Sequence, residues 1–188
     1  VGAVLAVLMA GSIFGGTRRL TDVTALLVPI MAIIYLGVGL IVVALNYQNI
    51  PAMFSAIFSG AFDFKAIFGG FAGSAMMYGI KRGLYSNEAG VGSAPNAAAS
   101  ASVSHPAKQG LVQMLSVFID TMVICTLTAF VVLSSGVGSD GGVTGAPLVK
   151  DAMATVLGQP VAQVFISVAL FLFAFTTLVG NFYYAEVN

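Results

Sequence analysis

The feature that most constrains this chain is a series of long apolar runs that contain very few charged residues. Residues 25–45 form the clearest run, which holds no charged side chain at all. A helix needs about 20 such residues to cross a bilayer core of roughly 30 Å. Because lipid cannot satisfy the free backbone groups of open strands, these runs predict membrane-spanning helices.

The composition excludes an ordinary soluble domain. Charged residues make up 7% of the chain and hydrophobic residues 59%, whereas a soluble domain carries about 25% charged residues. Seven basic and seven acidic residues cancel, so neither nucleic-acid binding nor an acidic tail is indicated. The single cysteine, Cys125, permits no intrachain disulfide and no cysteine metal cluster.

The apolar pattern predicts an all-α fold, a polytopic transmembrane helical bundle that forms one membrane domain over residues 1–188. The predicted spans cover residues 1–16, 24–46, 65–103, 107–135 and 160–185, and the third is broken near residues 85–92. Short helices are predicted in the connections, at residues 50–62 and 147–157. Because the chain begins inside an apolar run and stops after another, we expect an internal fragment of a larger transporter.

Two short basic segments set the expected orientation. Residues 15–19 contain Arg18 and Arg19, and residues 105–108 contain Lys108. Basic short loops favour the cytoplasm, and two predicted spans separate these segments, which places both on one side. The sequence therefore predicts a multi-pass protein of the cell (cytoplasmic) membrane.

The most informative stretch is residues 81–104, KRGLYSNEAGVGSAPNAAASASVS. Its glycines and proline interrupt a helix and are mixed with small polar residues. Unwound backbone at membrane depth persists where it is buried in protein or lines a cavity. There its N–H and C=O groups are able to bind the carboxylate and ammonium groups of an amino acid. An ordinary cytoplasmic loop is the alternative interpretation.

The run SNEAGVGSAP, followed by HPAKQG and FIDT, closely resembles the sodium:alanine (alanine or glycine:cation) symporter family. GTRRLTDVTALLVPIMAIIYLGVGLIVVALNYQNIPAMF and FAFTTLVGNFYYAE resemble the same family, so the resemblance covers essentially the whole chain. It implies a leucine-transporter-type inverted-repeat fold with a discontinuous helix. The chain would supply roughly the fourth to eighth core helices, and the missing N-terminal helices of the same protein would complete the site.

This resemblance implies sodium-coupled symport of a small neutral amino acid (alanine, glycine or glutamine) by alternating access across the cytoplasmic membrane. One alternative is a proton-coupled carrier on the same fold, with Asp120 or Glu88 as the proton site; another is a non-transporting membrane assembly subunit. No enzyme is indicated, because no spaced metal-ligand set, Ser–His–Asp constellation or phosphate-binding loop is present. The expected partners are the amino acid, Na+ and the lipid bilayer, with no nucleic acid and no cofactor beyond co-transported sodium.

The resemblance also implies a sodium site made by the Thr176 and Thr177 hydroxyls and the Phe173 carbonyl. From the residues alone, such hydroxyls equally often bond back to a carbonyl one turn earlier. The expected substrate-binding residues lie in the broken segment and on the last span: Tyr85, Ser86, Asn87, Ala89, Gly90, Thr177 and Asn181.

Asn181 stands where similar proteins often carry tryptophan. It follows Thr177 by four residues, which places both on one helical face. An amide is smaller than an indole and both donates and accepts hydrogen bonds. This predicts a roomier, more polar pocket that accepts glutamine; a satisfied interhelical amide is the alternative.

Two carboxylates, Glu88 and Asp120, lie deep in the apolar pattern. Ionisable groups inside a membrane are costly and are functional candidates by default. Lys81 and Arg82 are near in sequence, so buried ion pairs with either carboxylate are the competing interpretation. Asp120 alternatively lies near a first sodium site, to which the matching helix contributes in related folds.

Overall fold

The computed structural model describes residues 2–13, 16–62, 80–81, 83, 85, 91–137 and 143–187, and the regular secondary structure within these residues is helical. The elements are α1 (Gly2–Ile13), α2 (Gly16–Leu45), a 3-10 turn (Tyr47–Asn49), α3 (Ile50–Ala61), α4 (Ser93–Ala99), α5 (Pro106–Ile119), a π-helical turn (Asp120–Cys125), α6 (Thr126–Ser134), α7 (Ala146–Leu157) and α8 (Gln159–Val187). The predicted all-α class is confirmed for the described residues, as are the short helices α3 and α7.

Among the described residues, three segments are long and apolar enough to cross a membrane: Asp22–Leu45, Pro106–Ser134 and Gln159–Glu186. They lie at the positions of the spans predicted over residues 24–46, 107–135 and 160–185. α5, the π turn and α6 follow one another without interruption and together form the second of these long helices. The shorter apolar helix α1 corresponds to the first predicted span.

Two predicted boundaries differ from the structure. The basic segment at residues 15–19 was expected to be a loop, but α2 already begins at Gly16 and continues through Arg18 and Arg19. Leucine and arginine are good helix formers, and no proline interrupts this part of the chain. The third predicted span, residues 65–103, lies largely outside the described residues, and its described end comes earlier than expected, at Ala99.

The early end of α4 has a local cause. Ser100 Oγ donates a hydrogen bond to the Ala97 carbonyl at 3.0 Å, and the Ala101 N–H donates to the Ala98 carbonyl at 3.1 Å. Serine side chains compete in this way with the regular helical hydrogen bonds. A short non-helical segment therefore separates α4 from α5, which begins with His105 Nδ1 accepting from the Ala107 N–H at 3.1 Å.

The main core lies between α2, α6, α7 and α8. Its buried side chains come from all four helices: Val42, Val131, Ala152, Met153, Ala162 and Ile166. A smaller cluster contains Phe175 and Val179 of α8, against which Leu5 and Met9 of α1 pack. Asn49 Nδ2 donates to the Ser134 carbonyl at 2.8 Å and fixes the start of α3 against the end of α6. The three long helices are thereby held side by side.

Gly39 of α2 packs closely against Leu127 of α6. A Cβ atom at Gly39 would lie 2.8 Å from Leu127 Cδ2, and Leu127 is itself buried. Small residues at such positions let helix backbones approach each other in membranes.

We expect Gly39→Val to destabilise the protein by about 1–3 kcal/mol, since adding carbon atoms to a packed interface forces side chains and backbone to shift. Thermal unfolding of the purified protein in detergent measures this loss. Gly37→Val is the matched control, because a Cβ at Gly37 meets nothing within 4 Å. Equal losses of stability in the two variants would contradict the assigned contact.

Candidate functional site

A cavity of about 300 Å³ lies between α2, α4 and α8. Its walls come from three parts of the chain: Thr24 and Val28 of α2, Ala97 of α4, and Thr176, Val179, Gly180, Tyr183 and Tyr184 of α8. The cavity thus joins the N-terminal half of α2 to the C-terminal half of α8. It also places the start of α2 and the α4–α5 connection at the same end of the bundle, where the two basic segments were expected to meet.

Helical spacing explains the contribution of α8 to this cavity. Thr176, Gly180 and Tyr183 follow one another at four and three residues and so share one face of the helix. Gly180 has no side chain, which leaves room between Thr176 and Tyr183. The cavity wall is therefore polar at both ends of this face and open in the middle.

The predicted sodium ligands meet within one turn of α8. Thr177 Oγ1 donates to the Phe173 carbonyl oxygen at 2.8 Å. Thr176 Oγ1 lies 3.0 Å from the same oxygen and 3.1 Å from the Leu172 carbonyl. In this geometry both hydroxyls bond back along the helix, as the alternative interpretation expects, and both still carry lone pairs that are able to accept or coordinate.

The chemistry of this oxygen group favours a small monovalent cation. All three oxygens are neutral and hard, whereas a calcium site usually adds several carboxylates. Within the described part of the chain, no cluster of three or more His, Cys, Asp or Glu residues is placed to hold a metal ion. Thr176 is partly buried and faces the cavity, while Thr177 and Phe173 are exposed on the neighbouring face of α8.

Tyr35 of α2 connects this oxygen group to the second long helix. Its hydroxyl is 2.8 Å from Thr128 Oγ1 of α6, and its ring packs edge-on against Phe173 at a centroid distance of 6.2 Å. Sequence reasoning missed Tyr35, although a lone tyrosine in the middle of an apolar run is the signal that marks it. Tyr35 of α2 therefore packs directly against Phe173 of α8, and its own position is fixed by the hydrogen bond to α6.

The structure describes the C-terminal end of the predicted break at residues 85–92. Val91 and Gly92 are not helical, and Gly92 has a φ of +104°, a left-handed conformation that glycine adopts without strain. α4 follows directly. In its first turn, the Asn96 N–H donates a hydrogen bond to the Gly92 carbonyl at 3.2 Å. Ser86, Asn87, Ala89 and Gly90 of the predicted substrate site lie outside the described residues, as do Arg82 and Glu88.

A hydrogen bond of 2.7 Å from the Tyr183 hydroxyl to Ser100 Oγ ties the end of α8 to the end of α4. The bond lies beside the cavity, because Tyr183 is one of the residues that line it. Sequence reasoning did not identify either partner. Tyr183 has a sequence signal, since it lies seven residues after Thr176 on the same face, but Ser100 has none.

The remaining predicted substrate residues are not gathered around the cavity. Tyr85 is 79% exposed. Asn181 is exposed next to Gly180 but does not line the cavity, and Thr177 is likewise exposed. Their assignment to the substrate site stays a prediction.

Asp120 and Lys81 are not brought together. Lys81 is exposed, while Asp120 is partly buried in the middle of the second long helix. Asp120 Oδ2 lies 3.9 Å from Cys125 Sγ. Among the described side chains, an ion pair forms instead between Lys150 and Asp151, at 3.0 Å on α7.

Comparison with known proteins decides the family. A profile described as the sodium:alanine symporter family matches residues 1–188. The chain belongs to this family.

Three relatives of this chain come from Bacillus subtilis (strain 168). Amino-acid carrier protein AlsT is 49% identical over 188 residues, which cover 100% of this chain and 40% of AlsT. The putative sodium/proton-dependent alanine carrier protein YrbD is 41% identical over 199 residues, which cover 100% of this chain and 41% of YrbD. The probable sodium/glutamine symporter GlnT is 41% identical over 188 residues, which cover 100% of this chain and 39% of GlnT.

The chain therefore spans about 40% of the length of these relatives. The family and these relatives are transporters rather than enzymes, which confirms the expectation that the chain is not an enzyme. The three apolar helices fit the membrane setting of such proteins.

Proposed function

We propose that the full-length protein carries out sodium-coupled symport of a small neutral amino acid across the cytoplasmic membrane by alternating access. The observation that carries this proposal is the group of three oxygens at Phe173, Thr176 and Thr177, one of which faces a cavity that is also lined by Ala97 of α4. Relatives named as an alanine carrier and a glutamine symporter support alanine or glutamine as the substrate, and glycine is the third substrate predicted from the sequence. Within this proposal, α1 to α8 form part of a leucine-transporter-type inverted-repeat fold.

Sodium binding would use the two hydroxyls in a different orientation from the present one. Both now donate towards the Phe173 carbonyl. Rotation about the Cα–Cβ bond, or of the O–H alone, turns an oxygen lone pair towards a cation while the carbonyl keeps its second lone pair. The helix therefore needs no unfolding to change from a self-bonded turn to a cation site.

Binding of the ion and the substrate would be linked through the broken segment. Free N–H and C=O groups in unwound backbone are costly unless they are satisfied, and α4 connects that segment to the cavity wall at Ala97. An ion that orders this wall lowers the cost of ordering the segment for the substrate, and the linkage is reciprocal. The membrane potential adds about 2.3 kcal/mol to the driving free energy for each elementary charge transported and each 100 mV.

The Tyr183–Ser100 bond lies beside the cavity, at the end of the bundle predicted to be cytoplasmic. Release of substrate on that side requires α4 and α8 to separate there. One neutral hydrogen bond contributes only about 0.5–1.5 kcal/mol, which suits a contact that must break in every transport cycle.

Proton coupling is a second candidate for the driving ion. Asp120 is a partly buried carboxyl group in the middle of a long apolar helix, and one relative is named as sodium/proton-dependent. Glu88, the other candidate proton site, lies outside the described residues.

Uptake of labelled alanine into proteoliposomes that contain the full-length protein tests this proposal. We expect accumulation when an inward sodium gradient is imposed and only equilibration when potassium replaces sodium on both sides. Accumulation driven by an inward proton gradient without sodium would support the proton-coupled alternative. Absence of uptake under every gradient, for alanine, glycine and glutamine alike, would contradict transport itself.

A further inference from the structure

The centre of the second long helix has an unusual backbone. Asp120 opens a six-residue π-helical turn that ends at Cys125. The 14 residues of α5 precede it, so Asp120 stands midway along the apolar segment Pro106–Ser134. π turns are rare, usually occur singly inside α-helices, and are frequently found at functional sites.

Local hydrogen bonds maintain this turn. The Asp120 N–H is shared between the Ser116 and Val117 carbonyls. Thr121 Oγ1 donates to the Val117 carbonyl at 2.8 Å, and Thr126 Oγ1 donates to the Thr121 carbonyl, five residues back, at 3.1 Å. These two hydroxyl hydrogens are directed to the main chain rather than to the Asp120 carboxyl group.

The wider π turn brings Asp120 next to a sulfur atom. Its Oδ2 lies 3.9 Å from Cys125 Sγ, five residues along the chain. On α2, the Tyr35 hydroxyl lies near this turn and is hydrogen-bonded to Thr128 on α6. Among the described residues, no lysine or arginine forms an ion pair with Asp120; Lys150 pairs with Asp151 on α7.

Within the described residues, the group beside Asp120 Oδ2 is a thiol, which favours a proton over a metal ion as the ligand. A hard cation such as Na+ requires several oxygen ligands, and a neutral thiol is a poor one. A proton requires only the carboxyl group itself. The neutral acid is also far less costly than the carboxylate in an apolar segment.

We propose that Asp120 is a proton-binding site that links transport to pH through the π turn of the second long helix. This inference rests on the proposed symport function and adds a titrating residue to it. The protonated side chain is compatible with the apolar segment in which Asp120 lies, whereas the ionised side chain requires water or further hydrogen-bond donors beyond the Cys125 thiol. The proton comes from water and returns to water, so its loss favours a conformation in which the π turn is hydrated.

Sodium-driven alanine uptake by the full-length protein, measured at a series of pH values with sodium saturating, tests this inference. We expect uptake in the parent to change with pH by up to about tenfold per unit across the titration of one proton. Asp120→Asn fixes a neutral side chain and should give, at every pH, the rate that the parent shows on its acid side. Asp151→Asn, which removes a carboxyl group paired on α7, is the matched control and should keep the parent profile.

Asp120→Glu is the second variant, because it keeps a titratable group one carbon atom farther from the turn. We expect its pH profile to be displaced from that of the parent. If Asp120→Asn does not transport, this displacement tests whether Asp120 is the titrating group. Should neither variant transport, sodium-dependent alanine binding to the purified proteins over the same pH range replaces uptake as the readout. The parent would then lose or gain affinity with pH, and Asp120→Asn would not.

Three results would overturn the inference: an Asp120→Asn profile that follows the parent, an Asp120→Glu profile that coincides with it, or folded Asp120 variants that neither bind nor transport. The last would make Asp120 a ligand or a structural residue. Absence of any transport by the parent would instead contradict the proposed function, so the two failures are distinguishable.

Discussion

Replacing both Thr176 and Thr177 with valine is expected to raise the sodium concentration for half-maximal alanine uptake by about tenfold or more. Valine matches threonine in shape but lacks the hydroxyl oxygen. A hydrogen-bond-like contact to a charged group contributes about 1.5–3 kcal/mol, and 1.4 kcal/mol corresponds to a factor of ten. Uptake by the full-length protein, measured against sodium concentration at fixed alanine, gives the shift.

A matched control separates ion binding from helix packing. Thr155 on α7 also donates its hydroxyl to a carbonyl of its own helix, that of Ala152 at 2.7 Å. Thr155→Val therefore removes the same type of back-bond away from the cavity and should leave the sodium dependence unchanged. If the Thr176 and Thr177 hydroxyls serve only their own helix, the double variant will keep the parent's sodium dependence, and the site assignment is then wrong.

The parent protein is expected to accept glutamine as well as or better than alanine, and Asn181→Trp should reverse this order. Asn181 is exposed on the face of α8 that also carries Thr177. A pocket amide left unpaired costs about 1–3 kcal/mol, so a substrate with a polar side chain is favoured, whereas an indole fills the space that glutamine needs. Competition of labelled alanine uptake by unlabelled glutamine measures the order.

Gln163→Trp is the control for this substitution, since it places the same ring at an exposed position of α8 far from the hydroxyl pair. It should leave glutamine competition as it is in the parent. Failure of glutamine to compete in the parent, or an unchanged order in Asn181→Trp, would show that Asn181 lies outside the substrate pocket.

The parts of the structure that depend on local sequence were predictable. Three long helices follow from apolar run length alone, and Pro51 and Pro147 lie in the first turns of α3 and α7, where proline is favoured. The proximity of the Phe173 carbonyl to the two threonine hydroxyls is also local, because residues three and four apart meet within one helical turn. The family resemblance implies the sodium-binding role of these oxygens, and helical geometry explains why they lie close together.

The features that sequence reasoning missed depend on hydrogen-bond register or on distant pairing. The π turn at Asp120 changes the register by one residue without altering composition or hydropathy, so no apolar pattern marks it. The Tyr183–Ser100 bond joins residues from two helices far apart in sequence. The segment at residues 15–19 was assigned as a loop because of its glycines and arginines, yet helix propensity from Gly16 onwards prevails.

Sodium entry stimulated by the amino acid tests the central claim most directly. Proteoliposomes that contain the full-length protein are given labelled sodium outside, with and without alanine, and sodium and alanine uptake are measured together. Coupled symport predicts that alanine increases the initial rate of sodium entry, and that Thr176→Val/Thr177→Val lowers both fluxes in the same proportion at limiting sodium. Alanine entry that proceeds with no change in sodium entry would contradict the account.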